Sequence, residues 1–263
     1  MKKVYLGTNT KMYKTIKEHV EFVKDLEEGT KDISRDDLEL FVIPSYTSVG
    51  PCNEAIDESL VKIGAQNMNW ADKGAYTGEI SPLMLEEVGA KLIELGHSER
   101  RHVFGEDDIT VNKKVLASLK HDFTALLCIG ETEEQKNEGY TDKIMNIQIN
   151  VGFEGVEDKG IDKLWVAYEP VWAIGENGTP PTKEYVEKTH KKIREILVKR
   201  FGEKGKEIPI LYGGSVNNEN FEELIRIDEV DGLFIGRSAW VSENFLKIIK
   251  RVMEIKKKNR RKR

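Results

Sequence analysis

Cysteine is scarce in this chain: 263 residues contain two, Cys52 and Cys128. Two cysteines exclude a disulfide framework, and neither has a second cysteine or a histidine at metal-ligand spacing. Both read as buried thiols in a reducing compartment, and no metal is expected. Long apolar runs are also missing, since none approaches the roughly 20 residues that cross a bilayer, which excludes a helical membrane protein. The opening Met1-Lys2-Lys3-Val4-Tyr5-Leu6-Gly7 lacks the long apolar core of a signal peptide, so a cytoplasmic protein is expected. No linker or shift of composition divides the chain, and one domain is the simplest account.

Composition describes a globular protein, 39% hydrophobic and 33% charged. The net charge of −5 hides an asymmetry. The tail, residues 256–263, carries seven positive charges, so the other 34 basic residues face all 46 acidic ones. This divides the chain into a body over 1–255 and a basic tail over 256–263. The tail reads either as a frayed, solvated helix end or as a contact for an anionic partner such as RNA. A non-catalytic barrel that binds RNA through this tail is the remote alternative. Nothing in the body supplies the basic, aromatic stripe it needs, so neither a nucleic-acid nor a membrane partner is expected.

Short apolar, β-branched runs recur eight times: Val4–Leu6, Leu38–Ile43, Val61–Ala65, Leu92–Leu95, Thr124–Ile129, Leu164–Tyr168, Ile208–Tyr212 and Gly232–Ile235. Between them lie stretches of helical spacing, among them Ile16–Glu27, Pro82–Val88, Thr110–Lys120, Thr141–Val151, Lys183–Arg200, Asn218–Ile227 and Ser242–Lys256. Strands that alternate with helices pair in parallel. Eight such units form either an open doubly wound sheet or a closed barrel. The first strand runs into Gly7-Thr8-Asn9-Thr10-Lys11, without the GxGxxG turn of a dinucleotide-binding sheet, which favours a single-domain (β/α)8 barrel.

In such a barrel, chemistry gathers where strands end. After the sixth run comes Glu169, followed by an apolar segment between Pro170 and the stretch Gly178-Thr179-Pro180-Pro181, which reads as a base beneath a hinged lid. Water exclusion raises a carboxylate's pKa and strengthens it as a base toward a C–H proton. A salt-bridged glutamate under a rigid loop is the alternative. After the fourth run, His97 stands at a helix start, where positive potential disfavours imidazolium and leaves a neutral hydrogen-bond donor. Glu99 beside it is an orienting residue or a surface ion-pair partner. Asn9 and Lys11 both point inward if the first strand stays extended through Lys11. Glycine-rich turns at Gly213-Gly214-Ser215 and Gly236-Arg237 let backbone N–H groups approach a phosphate.

These residues resemble triose-phosphate isomerase from Asn9 to Trp240. The likeness is carried by Gly64-Ala65-Gln66-Asn67, Gly74-Ala75-Tyr76-Thr77-Gly78-Glu79-Ile80-Ser81, Glu94-Leu95-Gly96-His97-Ser98-Glu99-Arg100-Arg101, Cys128-Ile129-Gly130-Glu131 and Tyr168-Glu169-Pro170-Val171-Trp172-Ala173-Ile174-Gly175. The resemblance implies Glu169 as the proton-shuttling base, His97 as the electrophile, and Lys11 with Asn9 as support for the oxyanion. Pairing a glutamate base with a neutral histidine is a standard example drawn from this enzyme. It further implies that backbone N–H groups near Gly175, Ser215, Gly236 and Arg237 hold the phosphate, with no metal or organic cofactor. The long connection 66–81 is implied to insert into a second subunit, bringing Thr77 toward the partner's site in a homodimer.

Thr10 stands where the family usually has tryptophan, and Tyr13 where asparagine is common. The lid reads Gly175-Glu176-Asn177-Gly178 in place of Gly-Thr-Gly-Lys, and Arg237 replaces a glycine. The lid change and Arg237, with Asn69-Trp70-Ala71-Asp72 and Leu233-Phe234-Ile235-Gly236-Arg237-Ser238-Ala239-Trp240, resemble a divergent branch that contains tetrulose-phosphate isomerases. The leading expectation is interconversion of dihydroxyacetone phosphate and D-glyceraldehyde 3-phosphate through an enediolate. Its alternative is the same chemistry on a tetrulose phosphate such as L-erythrulose 1-phosphate.

Overall fold

In the computed structural model, residues 2–174 and 178–260 are described. Gly175, Glu176 and Asn177 of the predicted lid, and Arg261, Lys262 and Arg263 of the predicted tail, lie outside the described residues. Eight parallel strands close into one barrel in sequence order, β1 (Val4–Asn9), β2 (Leu38–Ile43), β3 (Lys62–Ala65), β4 (Leu92–Leu95), β5 (Thr124–Ile129), β6 (Leu164–Tyr168), β7 (Ile210–Tyr212) and β8 (Gly232–Phe234). β1 closes the ring against β8 through Tyr5↔Gly232 to Gly7↔Phe234. The expected (β/α)8 barrel is therefore the fold.

Successive strand residues point to opposite faces, and this alternation sorts the core into two parts. Outward residues such as Leu38, Leu40, Val42, Ile93, Leu95, Leu127, Val166 and Tyr168 pack under the helices. Inward residues Phe41, Ile43, Leu92, Leu126, Cys128, Trp165, Ala167, Leu211 and Phe234 fill the barrel itself. Continuing the inward parity toward the strand ends reaches Asn9 on β1, Glu94 on β4 and Glu169 just past β6. All three are buried, so the apolar interior is capped by a polar layer at its C-terminal end.

β1 extends three residues past the predicted Leu6, because Gly7, Thr8 and Asn9 continue the ladder with Phe41, Val42 and Ile43 despite breaking the apolar run. The helix Ile16–Thr30 starts with a capping box in which Thr15 accepts from the Glu18 N–H and the Glu18 carboxylate accepts from the Thr15 N–H. The helix Ser98–His102 begins at the helix start expected at His97, whereas two further helices lie outside the predicted stretches: Tyr46–Ala55, which holds Pro51 in its interior, and Glu133–Asn137. Only Phe221–Leu224 of the predicted helix 218–227 is α-helical. The last helix, Ser242–Arg260, continues past the predicted body boundary at residue 255. None of the described helices is long and apolar enough to cross a membrane.

Candidate active site

Glu169 sits at the end of β6 with 3% of its surface exposed. Its N–H donates to the Ile129 carbonyl at 2.7 Å, continuing the β5–β6 ladder one step beyond the strand. Two glycines on the flanking junctions make room for it. A Cβ on Gly130 would fall 1.9 Å from the Glu169 carbonyl oxygen, and one on Gly213 would fall 2.9 Å from its Cγ. Gly213, expected as part of a phosphate turn, thus has a packing role against Glu169. The Cys128 thiol lies 3.5 Å from Glu169 Oε1, whereas Oε2 has no hydrogen-bond partner among the described residues.

His97 faces that second oxygen, with Nε2 3.8 Å from Glu169 Oε2. Its other nitrogen, Nδ1, accepts from the Glu99 N–H at 3.2 Å and so caps the helix Ser98–His102. An accepting Nδ1 carries no hydrogen, which leaves the neutral tautomer protonated on Nε2, the atom aimed into the site. The helix start therefore acts through a specific hydrogen bond as well as through its field.

At β1 the expectation needs correction. The strand ends at Asn9, and Lys11 adopts a left-handed conformation with φ of 51°, so the extended path does not persist to Lys11. Such a conformation costs about 1–3 kcal/mol in a non-glycine residue and persists only where its surroundings hold it. Here the Lys11 N–H donates to Asn9 Oδ1 at 2.6 Å and Gln66 Nε2 donates to the Lys11 carbonyl at 2.8 Å. The lysine ammonium reaches Glu99 Oε1, so Glu99 ties together the His97 and Lys11 sides of the rim. Trp240 Nε1 donates to the Asn9 carbonyl at 2.9 Å and fastens β1 to the segment after β8.

Ser215 follows β7, and Gly236 and Arg237 follow β8, with Gly236 capping a short 3-10 turn at Arg237–Ala239. Because β7 and β8 lie between β6 and β1 in the barrel, all three share the rim that carries Glu169 and Asn9. Gly175 lies outside the described residues. Thr77 is exposed near the tip of the 66–81 connection, between Gly74 and Gly78 in their positive-φ conformations.

Three residues were missed as functional candidates. Glu131, fully buried, accepts hydrogen bonds from Tyr168, Trp172 and Tyr185, and thereby pins the first turn of the lid segment, Val171–Ala173, to the barrel. Cys128 is no ordinary core thiol, because its sulfur lies between Glu169 Oε1 and Glu94 Oε1 at 3.5 and 3.7 Å. Glu94, fully buried on β4, accepts from Asn9 Nδ2 at 2.6 Å. The signal for it was inward parity: a carboxylate two residues along from Leu92 in an apolar strand.

Glu94, Cys128 and Glu169 bring ligand atoms within 4.8 Å of one another. A metal would require the thiolate. Burial, followed by the charges of Glu169 and Glu94, pushes the Cys128 thiol well above its usual range. The Glu94 carboxyl is raised too, by burial first and then by the charge of Glu169. This donor set favours bound protons over a bound cation.

The family profile of triosephosphate isomerase matches residues 4–252. An L-erythrulose-1-phosphate isomerase of Rhizobium etli is 48% identical over 251 residues, covering 95% of this chain and 92% of its own. Proteins of the same name from Rhizobium meliloti and Mesorhizobium japonicum are 46% and 42% identical, with 95% of this chain covered in each case and 96% and 98% of theirs. These relatives overturn the leading expectation of a triose phosphate as substrate and favour its tetrulose alternative. At the level of chemistry the chain is an isomerase-family enzyme built on a closed barrel, and it belongs to the triosephosphate isomerase family.

Proposed function

We propose that this enzyme isomerises a four-carbon ketose phosphate of the L-erythrulose 1-phosphate type by moving a proton between two adjacent carbons. The observation that carries the chemistry is the unpartnered Oε2 of buried Glu169 facing the Nε2–H of a histidine whose other nitrogen is already an acceptor. The names of the relatives carry the choice of substrate.

In L-erythrulose 1-phosphate the ketone at C2 stands between the phosphate-bearing C1 and the hydroxyl-bearing C3. Glu169 Oε2 removes the C3 proton, and the C2–C3 enediolate forms. His97 Nε2–H donates to the enediolate oxygens and relays the C3 hydroxyl proton to the C2 oxygen, and Asn9 and Lys11 add positive potential at the same place. Glu169 then returns the proton to C2, which leaves the ketone at C3. General base catalysis supplies about 10²–10⁴-fold and an oriented oxyanion donor about 10²–10³-fold. In this reading, backbone N–H groups at Ser215, Gly236 and Arg237, together with Gly175, hold the phosphate. No cofactor is needed, and the free thiols suit a cytoplasmic setting.

The reading includes a homodimer. Met12, Tyr13, Tyr76, Leu83, Met84, Val103 and Phe104 are large apolar side chains left exposed, with Met12 at 92%. A second subunit that received the 66–81 connection, with Thr77 near its tip, would cover such surface. Light scattering should give twice the mass of the chain, and a monomer at micromolar concentration would exclude this assembly. For the substrate, kcat/KM should be higher for L-erythrulose 1-phosphate than for dihydroxyacetone phosphate by at least about tenfold, the worth of one added group in a fitted pocket. Equal values, or a preference for the triose, would refute the tetrulose reading.

A further inference from the structure

The carboxyl group of Glu94 lies in the floor of the site, and the proposed proton transfer does not use it. Its Oε2 accepts from Asn9 Nδ2 at 2.6 Å, and its Oε1 lies 3.7 Å from Cys128 Sγ, which in turn lies 3.5 Å from Glu169 Oε1. The residue is fully buried. Ionisable groups from five other parts of the barrel bear on it or on its neighbours: Glu169 after β6, Lys11 after β1, His97, Glu99 and Arg101 after β4, Cys128 on β5, and the phenol of Tyr46 after β2.

A count of hydrogens gives the cluster one proton beyond the thiol's, and the surroundings assign it to Glu94, which is fully enclosed, whereas Glu169 has His97 Nε2 3.8 Å from its second oxygen. A thiol has one hydrogen. If Glu94 were ionised, that hydrogen would serve only one of the two carboxylates, leaving two negative charges in one buried cluster and one oxygen without its donor. Such an arrangement is costly in a dry interior. With a proton on Glu94 Oε1, every contact has a hydrogen. The acid O–H donates to sulfur, the S–H donates to Glu169 Oε1, and the Asn9 amide donates to Glu94 Oε2. One carboxylate oxygen is left over, Glu169 Oε2.

We infer that Glu94 is a positioning residue that carries a proton toward Cys128, orients the Asn9 amide and, through the thiol, fixes Glu169 so that Oε2 alone takes the substrate proton. With one hydrogen of Asn9 Nδ2 on Glu94 and Oδ1 occupied by the Lys11 N–H, the second amide hydrogen is left for a substrate oxygen. Loss of the Glu94 proton at high pH removes the donor to sulfur and loosens both groups, so turnover should decline there.

The inference rests on Glu169 as the base, and its test separates the two. Infrared difference spectra of wild type against Glu94→Gln at neutral pH, without substrate, should show the C=O stretch of a protonated carboxylic acid that the variant lacks. In kinetics, Glu94→Leu should lower kcat by about 10²-fold with KM within about threefold, the effect of misplacing a reacting group rather than losing binding. Glu94→Gln should recover at least about tenfold of that loss, because its amide oxygen accepts from Asn9 and its NH₂ donates to sulfur. Its alkaline decline should also move to higher pH or vanish. Absence of the acid band, or a Gln variant as impaired as the Leu variant, would overturn the inference even if wild-type activity is as proposed. If Glu94→Leu does not fold, the band and the Gln pH profile still decide the matter.

Discussion

The two ends of the barrel both bury carboxylates but treat them in opposite ways. At the N-terminal end, Asp231 is almost completely enclosed and each oxygen has a cation beside it: Arg194 Nη2 lies 2.7 Å from Oδ2, which also accepts from the Ile210 N–H at 2.9 Å, and the Lys2 ammonium lies 2.6 Å from Oδ1, which has no hydrogen bond among the described residues. Arg194 also donates to the Gly205 and Ile208 carbonyls and pairs with Glu229. Glu39, at the same end, is flanked by Lys3 and Lys62. At the C-terminal end Glu169 keeps one oxygen without a hydrogen-bond partner among the described residues, with the His97 imidazole 3.8 Å away. The lower end secures the fold with its charges. The upper end leaves one carboxylate oxygen without a cation beside it, at a cost the rest of the barrel sustains.

The largest effect is expected at the rim. Glu169→Gln should lower kcat/KM by about 10³–10⁴-fold, at or beyond the low end for a lost general base, without lowering Tm. A loss below tenfold would contradict the division of roles. At the lower end the effect should reverse. Arg194→Met leaves Asp231 buried and short of a partner, and should cost about 3–5 kcal/mol in denaturant unfolding while kcat of the folded fraction stays within twofold.

An intermediate effect is expected behind β6 and β7, where His190 is fully buried on the helix Lys183–Phe201 and packs edge-on against Tyr168. Burial lowers its pKa from 6.5 to about 4, partly offset by its hydrogen bond to the Glu229 carbonyl. Below pH 6.5 the unfolded chain takes up a proton that the folded chain refuses. Stability should therefore fall between pH 6.5 and about 4, by about 3 kcal/mol in total, and His190→Gln should flatten that part of the curve. The smallest effect belongs to Lys62→Met. Lys62 is 38% exposed, and Glu39 retains Lys3, so the loss should stay below about 1 kcal/mol.

The barrel was legible because strands buried on both faces read as continuous apolar runs, and β4 and β5 have the predicted bounds. The same habit of reading concealed Glu94, since a run scored only for hydrophobicity passes over one carboxylate in Leu92–Leu95. Inward parity would have exposed it, and also Cys128, which reads as an ordinary thiol when only sequence neighbours are considered. The helix Tyr46–Ala55 was missed because Gly50 and Pro51 argue locally against a helix, and tertiary packing of Val49 and Cys52 against the core outweighs them. His97 and Glu169 stood out because the C-terminal ends of barrel strands are where this fold collects its reactive side chains, so an ionisable residue there points to chemistry before packing. Lys11 stood out for a partly wrong reason, since a left-handed turn held by Asn9 and Gln66, not a persisting strand, places it.

In the proposed reaction Glu169 moves a proton between two adjacent carbons of a tetrulose phosphate. The most direct test is proton NMR of L-erythrulose 1-phosphate incubated with the enzyme in D₂O. Wild type should exchange the C3 hydrogen and place solvent deuterium on the product carbon that was C2 of the substrate, whereas Glu169→Gln should do neither on the same timescale. Isomerisation without any solvent exchange, or exchange that persists at the wild-type rate in Glu169→Gln, would contradict the account.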